Sequence, residues 1–160
     1  MDAFFIFGAK YLFIISVLVG VAVFYTAPLT ERYKIATFFA LSMMLAFLLS
    51  LLARELYFNP RPFVVGKFAP LIPHSADNGF PSDHTLLVSS IAAGMMYFRR
   101  RLALVLWLVA GLVAMSRVYT GVHHTLDVLG AALIALLSAV SVHVFLARYK
   151  NGIVDEITKK

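Results

Sequence analysis

Five apolar stretches, separated by short polar breaks, set the pattern of the chain. The first runs from about Phe4 to Tyr25, with Lys10 alone inside it, and the second from about Ile35 to Tyr57 after the polar turn Thr30-Glu31-Arg32-Tyr33-Lys34. The third starts near Ser82 and stops at Arg99-Arg100-Arg101. The fourth covers roughly Leu102 to Tyr119, and the fifth roughly His124 to Ala147, before a short polar tail ending IVDEITKK. Several of these runs approach or exceed the ~20 residues that a bilayer-spanning helix needs. The third has only about 16 residues before its first arginine; arginine stems that snorkel to the interface make up the difference. The pattern predicts an all-α integral membrane protein, a bundle of about five transmembrane helices. No repeat, low-complexity tract or linker interrupts it, so one membrane-embedded domain over residues 1–160 is the simplest organisation.

Composition agrees with the pattern. Of 160 residues, 61% are hydrophobic and 14% charged, and the mean hydropathy is +0.87; a soluble domain carries nearer a quarter charged residues. The chain has no cysteine, which excludes a disulfide framework and thiol chemistry. The net charge of +6 does not point to nucleic acid, because the basic residues lie between or just after apolar runs. There they orient the chain in a bilayer and meet anionic lipid. The amino terminus, MDAFFIFGAK, is acidic before it is basic, and it is expected to persist as the first helix, not to be cleaved as a signal.

Five spans put the 26–34 turn, the arginine turn and the carboxyl tail on one side. That side holds Arg32, Lys34, Arg99, Arg100, Arg101, Arg148, Lys150, Lys159 and Lys160, nine of the fourteen basic residues. It is expected to be cytoplasmic. The long 58–81 loop and the 117–123 turn then emerge together on the extracytoplasmic face of the cell membrane.

Three polar clusters meet on that face. In Arg54-Glu55-Leu56-Tyr57-Phe58-Asn59-Pro60-Arg61-Pro62, two prolines flank Arg61 and fix the backbone around it. Arg54 lies two helical turns earlier and reads either as an interfacial snorkeller or as a second guanidinium on the same face. In Phe80-Pro81-Ser82-Asp83-His84, proline and small polar residues mark a helix start, whose free N–H groups seat anions. Ser82 or Asp83 equally reads as a simple cap. In Ser116–Asp127, Arg117 closes one span, and His123 and Asp127 are four apart at the start of the next. That spacing lets the carboxylate touch one ring nitrogen and leaves the other free to attack or to bind metal. His124 points about 100° away and reads as interfacial. Zinc would require three or four converging ligands, whereas these histidines come with three arginines. Guanidinium forks match phosphate oxygens.

Together the clusters resemble the signature of the type 2 phosphatidic acid phosphatase superfamily, which includes vanadium haloperoxidases. That signature is a basic residue, six others and Arg-Pro; then Pro-Ser-Gly-His; then Ser-Arg, five others, His, three others and Asp. The chain has Arg54…Arg61-Pro62, Pro81-Ser82-Asp83-His84 and Ser116-Arg117…His123…Asp127, spanning nearly half its length. It departs in Arg54, where the family has lysine, and in Asp83, where the family has glycine. Within the superfamily the wording is most similar to bacterial undecaprenyl-diphosphatases of the bacitracin-resistance type. Those carry a further amino-terminal helix, so five spans against six is a second kind of departure.

The resemblance implies a mechanism. His123 is the nucleophile, forming a phosphohistidine; Asp127 orients it; His84 protonates the leaving oxygen and then activates water. Arg54, Arg61 and Arg117, with the N–H groups around Ser82 and Asp83, bind the phosphate, and no metal or other cofactor is required. The expected substrate is a lipid diphosphate or phosphate, with undecaprenyl diphosphate first and phosphatidylglycerophosphate, phosphatidic acid or a lipid A phosphate as alternatives. In the 58–81 loop, Phe63–Ile72 is a candidate to dip into the interface, while Lys67 and His74 are open between contacting a distal phosphate and being solvated. A transporter would instead favour broken helices at mid-membrane and inverted repeats; neither is visible.

Overall fold

The structure, a computed structural model, describes residues 1–158, with side-chain environments through Tyr149. Among the described residues six helices follow in order: α1 (Asp2–Thr26), α2 (Leu29–Leu56), α3 (Pro62–Gly66), α4 (Asp83–Phe98), α5 (Arg100–Tyr119) and α6 (Thr125–Thr158). Four are long and apolar enough to cross a membrane: α1, α2, α5 and the Thr125–Tyr149 portion of α6. The fifth long helix, α4, has 16 residues. It packs against α1, α2, α5 and α6. It buries Thr85, Leu86 and every residue from Val88 to Met95, with Val88, Ala92, Ala93 and Met95 fully enclosed. Protein, not lipid, surrounds this short helix.

Residue size sorts between inside and outside as expected where lipid is the solvent. Large apolar side chains such as Leu18, Leu104, Leu108 and Leu129 face outward, while Ala9, Ala110, Ala131, Ala135 and Ala139 are buried. Small residues let helix backbones approach, and van der Waals packing then holds the bundle without a hydrophobic drive between helices. On α6 the buried alanines recur every four residues, about one turn apart, so one narrow stripe faces the partners.

Three segment boundaries differ from the sequence reading. The polar turn 30–34 is not a turn: α2 begins at Leu29, and the N–H groups of Glu31 and Arg32 both bond the Pro28 carbonyl. Arg32 reaches back to the Ala27 and Tyr25 carbonyls, satisfying orphan acceptors at the end of α1. The arginine turn shrinks to Arg99, since Arg100 and Arg101 already belong to α5; Arg99 forms a forked pair with Glu31 at 2.6 and 2.8 Å. The polar tail continues α6 as far as Thr158, and Lys159 and Lys160 lie outside the described residues.

At the opposite end, the 58–81 loop and the 117–123 turn come together as helix parity requires. The loop carries the short α3 and is fastened to the turn. Leu71 N–H bonds the Thr120 carbonyl at 3.0 Å, and Ile72 is buried against Ala9 and Val122. Gly121 adopts φ +78, and the ring of Phe68 lies where its side chain would be. Apolar Val65, Phe68 and Leu71 remain exposed at this end.

Candidate active site

The three clusters converge on His123, which sits in the turn between α5 and α6 and is 3% exposed. Its Nδ1 faces two acceptors, the Gly79 carbonyl at 3.0 Å and Asp127 Oδ2 at 3.3 Å. Its Nε2 faces two donors, Arg61 Nη1 at 3.3 Å and Arg117 Nη2 at 3.4 Å. Acceptors on one side and donors on the other select one tautomer, with the proton on Nδ1 and a lone pair on Nε2 directed between two guanidiniums. Burial pushes the His123 pKa down. The hydrogen bond to Asp127 offsets part of this, and the charges of Arg117 and Arg61 add to the lowering, leaving it below the ordinary histidine value.

Asp127 is completely buried, in the first turn of α6. Its carboxylate accepts from Asn59 Nδ2 at 2.7 Å, from the backbone N–H of His124 at 2.8 Å and from His123. A buried carboxylate needs such partners to hold its charge. The ring of His124 turns aside and pairs with the Pro60 carbonyl at 3.1 Å, tying the first cluster to the third.

The arginines differ in what holds them. Arg61, 5% exposed, is tethered by Asp77 Oδ1 at 2.7 Å, the Val122 carbonyl at 2.9 Å and the Asn78 carbonyl at 3.4 Å. It caps α3, and because α2 has already ended at Leu56, it shares no helix face with Arg54. Arg117, 3% exposed, donates to the Ala9 carbonyl at 3.4 Å, while its buried Nε has no partner. Arg54, in the last turn of α2, pairs with Asp83, and its Nε is likewise buried without a partner.

Ser82 is the residue before α4 and is fully enclosed, but its hydroxyl does not cap the helix; it accepts from Thr85 Oγ1 at 3.1 Å. Its N–H bonds the Asp127 carbonyl at 3.2 Å. The N–H groups left for an anion are therefore those of the first turn beginning at Asp83. His84, in that turn, is half-buried, its ring edge-on to Phe13 at 5.1 Å.

Four residues here were not singled out from the sequence: Asn59, Asp77, Asn78 and Gly79. Asn78 is the clasp of the loop. Its Oδ1 accepts from the N–H groups of Asn59 (2.9 Å) and Phe80 (3.0 Å), and its Nδ2 donates to the Arg54 and Tyr57 carbonyls. The run Asp77-Asn78-Gly79 directly precedes the Phe80–His84 cluster; it is a turn signature, and that composition was the available signal. Asp77 lies on the surface. Burial pushes its carboxyl up, but the Arg61 hydrogen bond and charge outweigh this and hold it below the usual carboxylate range.

A polytopic helical bundle that gathers guanidiniums, a helix amino terminus and an imidazole nitrogen set between two of those guanidiniums at one end defines a membrane protein suited to a compact oxyanion. Residues 35–150 match the PAP2 superfamily, and the chain belongs to it. It is similar to undecaprenyl-diphosphatase BcrC of Bacillus subtilis (strain 168), at 28% identity over 170 residues that take in 100% of this chain and 88% of that one. Its fold resembles the crystal structure of Aquifex aeolicus LpxE, with TM-score 0.72 and 26% identity over 88% of this chain and 84% of that chain. It also resembles a transmembrane PAP2 type phosphatidylglycerolphosphate phosphatase from Bacillus subtilis, with TM-score 0.59 and 25% identity over 91% and 74% of the two chains.

Proposed function

We propose that the chain, acting as one phosphatase domain, hydrolyses the terminal phosphate of a polyprenyl diphosphate, undecaprenyl diphosphate first, at the extracytoplasmic face of the cell membrane. The observation that carries the chemistry is the two-sided setting of His123: acceptors at Nδ1, guanidiniums at Nε2. Nε2 attacks the terminal phosphorus, the bond from phosphorus to the bridging oxygen breaks, and His84 gives that oxygen its proton. Water then attacks the phosphohistidine, losing its proton to His84, and inorganic phosphate leaves. Asp127 stabilises the imidazolium that forms in the first step. Arg61, Arg117 and Arg54, with the α4 amino terminus, meet the charge on the equatorial oxygens. In this reading the arginines take the role a metal would otherwise fill.

The substrate assignment is supported by similarity along the whole chain to a protein named for undecaprenyl diphosphate. Phosphatidylglycerophosphate is the second reading, favoured by the fold similarity to a phosphatase of that name. The test is phosphate release by detergent-purified protein from undecaprenyl diphosphate, phosphatidylglycerophosphate and phosphatidic acid, with EDTA present and His123→Ala alongside. Fastest EDTA-resistant turnover of the diphosphate, lost in the variant, is expected. A preference for another lipid overturns the substrate, and an active His123→Ala overturns the mechanism.

A further inference from the structure

Among the described residues, five buried side-chain polar atoms lack a hydrogen-bond partner, and three of them surround one site: Arg54 Nε, Arg117 Nε and His74 Nδ1. Buried polar atoms are nearly always paired, so a cluster of orphans marks where a ligand supplies the missing partner. Two of the three belong to the arginines already assigned to phosphate. The third lies outside the three sequence clusters.

The 58–81 loop holds His74 in place. On one side of it, Leu71 is bonded to Thr120, and Ile72 is buried against Ala9 and Val122. On the other, Asp77 grips Arg61 and Asn78 clasps the loop to Asn59. Between these anchors the His74 ring stands edge-on to the His123 ring, with centroids 6.0 Å apart and planes at 78°. Lys67, the other loop candidate, is instead an exposed residue in a left-handed conformation at the end of α3. The structure thus separates two residues that the sequence leaves equivalent.

We propose that His74 contacts substrate by donating a hydrogen bond to the inner phosphate of a diphosphate, the one that stays with the lipid, and so favours diphosphates over monophosphates. The proposal rests on the diphosphate reading above and names a residue for it. The charge arithmetic favours the inner group. The terminal phosphoryl carries up to about two negative charges and is met by guanidiniums and the α4 amino terminus, while the inner phosphate carries about one. Burial, reinforced by the charges of Arg61 and Arg117 and only partly opposed by the neighbouring Ser75 backbone, keeps the His74 pKa below the ordinary value. A neutral imidazole offers a single N–H to a singly charged group without adding another cation beside two arginines.

The experiment compares farnesyl diphosphate with farnesyl monophosphate, which share one tail, using purified wild type, His74→Ala and His74→Gln. The ratio of kcat/KM for the diphosphate to that for the monophosphate is expected to fall about tenfold in His74→Ala, mainly through KM. His74→Gln, which keeps an N–H donor, is expected to recover part of it. A thermal unfolding scan accompanies each variant; if the alanine variant does not fold, the glutamine variant and competition by inorganic pyrophosphate against inorganic phosphate carry the comparison. Equal losses on both substrates, or no loss, overturn the role of His74. A wild type that ignores the diphosphate overturns the substrate reading itself.

Discussion

The backbone carbonyl of Gly79 stands 3.0 Å from Nδ1 of His123, so a loop residue shares with Asp127 the task of holding the imidazole proton. Position 79 has no room for a side chain. A Cβ there would lie 2.9 Å from Asp127 Oδ2, 3.1 Å from the Asn59 carbonyl and 3.4 Å from Arg61 Cγ, touching three parts of the site at once. Gly79→Ala is therefore expected to displace the Asp127–His123 pair. Misplacement of about 1 Å at a reacting centre costs on the order of 10²-fold in rate. Steady-state kinetics beside a thermal melt checks it, and near-native kcat would show that the loop carbonyl is dispensable.

The Asn59 side chain acts on His123 through Asp127, to which its amide donates at 2.7 Å. Asn59→Ala strips a donor from a fully buried carboxylate, a loss of about 1–3 kcal/mol. Because Asn59 positions the pair without facing the phosphate arginines, the loss is expected mainly in kcat, with KM little changed. A double-mutant cycle with Asp127→Asn measures the coupling; additive effects would break the proposed relay.

The acid limb of activity should report His123. Attack requires the unprotonated Nε2, and burial lowers the His123 pKa. The imidazole then stays neutral down through the ordinary histidine value of about 6.5, and kcat/KM falls only below it. Asp127 contributes in the opposite sense, raising that pKa. Asp127→Asn should therefore move the acid limb to still lower pH while reducing kcat, because the imidazolium formed on attack loses its partner. An upward shift of the limb in this variant would contradict the assignment.

What was legible in the sequence follows from the cost of ions in lipid. Arg54, Arg61, Arg117, His123 and Asp127 stand out because a chain this apolar places charges only where something holds them. The four-residue spacing of His123 and Asp127 predicted their contact, which forms although His123 lies in the turn before α6 and only Asp127 is on the helix. The loop partners were hidden for a different reason. Gly79 contributes a carbonyl, which every residue has, and Asn78 works through a closure between residues about twenty apart. No periodicity announces such long-range pairings. The start of α2 was obscured because Thr30–Lys34 is polar, and polarity at a membrane interface is as compatible with helix as with turn.

The absence of cysteine makes orientation directly measurable. Lys67 and Arg101 are both exposed and lie at opposite ends of the bundle. In intact cells, a membrane-impermeant maleimide is expected to label Lys67→Cys, and to label Arg101→Cys only after permeabilisation. The reverse pattern would put the site in the cytoplasm, against the bias of basic residues.

Asp83 stands where the superfamily signature has glycine, and its carboxylate pairs with Arg54. Both side chains are substantially exposed, at 70% and 36%, so the pair contributes roughly 0.2–1 kcal/mol. A phosphate at the amino terminus of α4 competes with that carboxylate for the guanidinium and is repelled by it. Asp83→Gly should therefore strengthen inhibition by inorganic phosphate or vanadate, by up to about fivefold for a ~1 kcal/mol interaction. The effect should shrink as salt screens the charges. Loss of an acidic residue from the first helical turn lowers the melting temperature slightly, since that charge favours the helix dipole. Asp83→Asn removes the charge but keeps a side chain, and it should reproduce the tighter inhibition. Weaker inhibition in both variants would reverse the role, making Asp83 the residue that aims Arg54 at the phosphate.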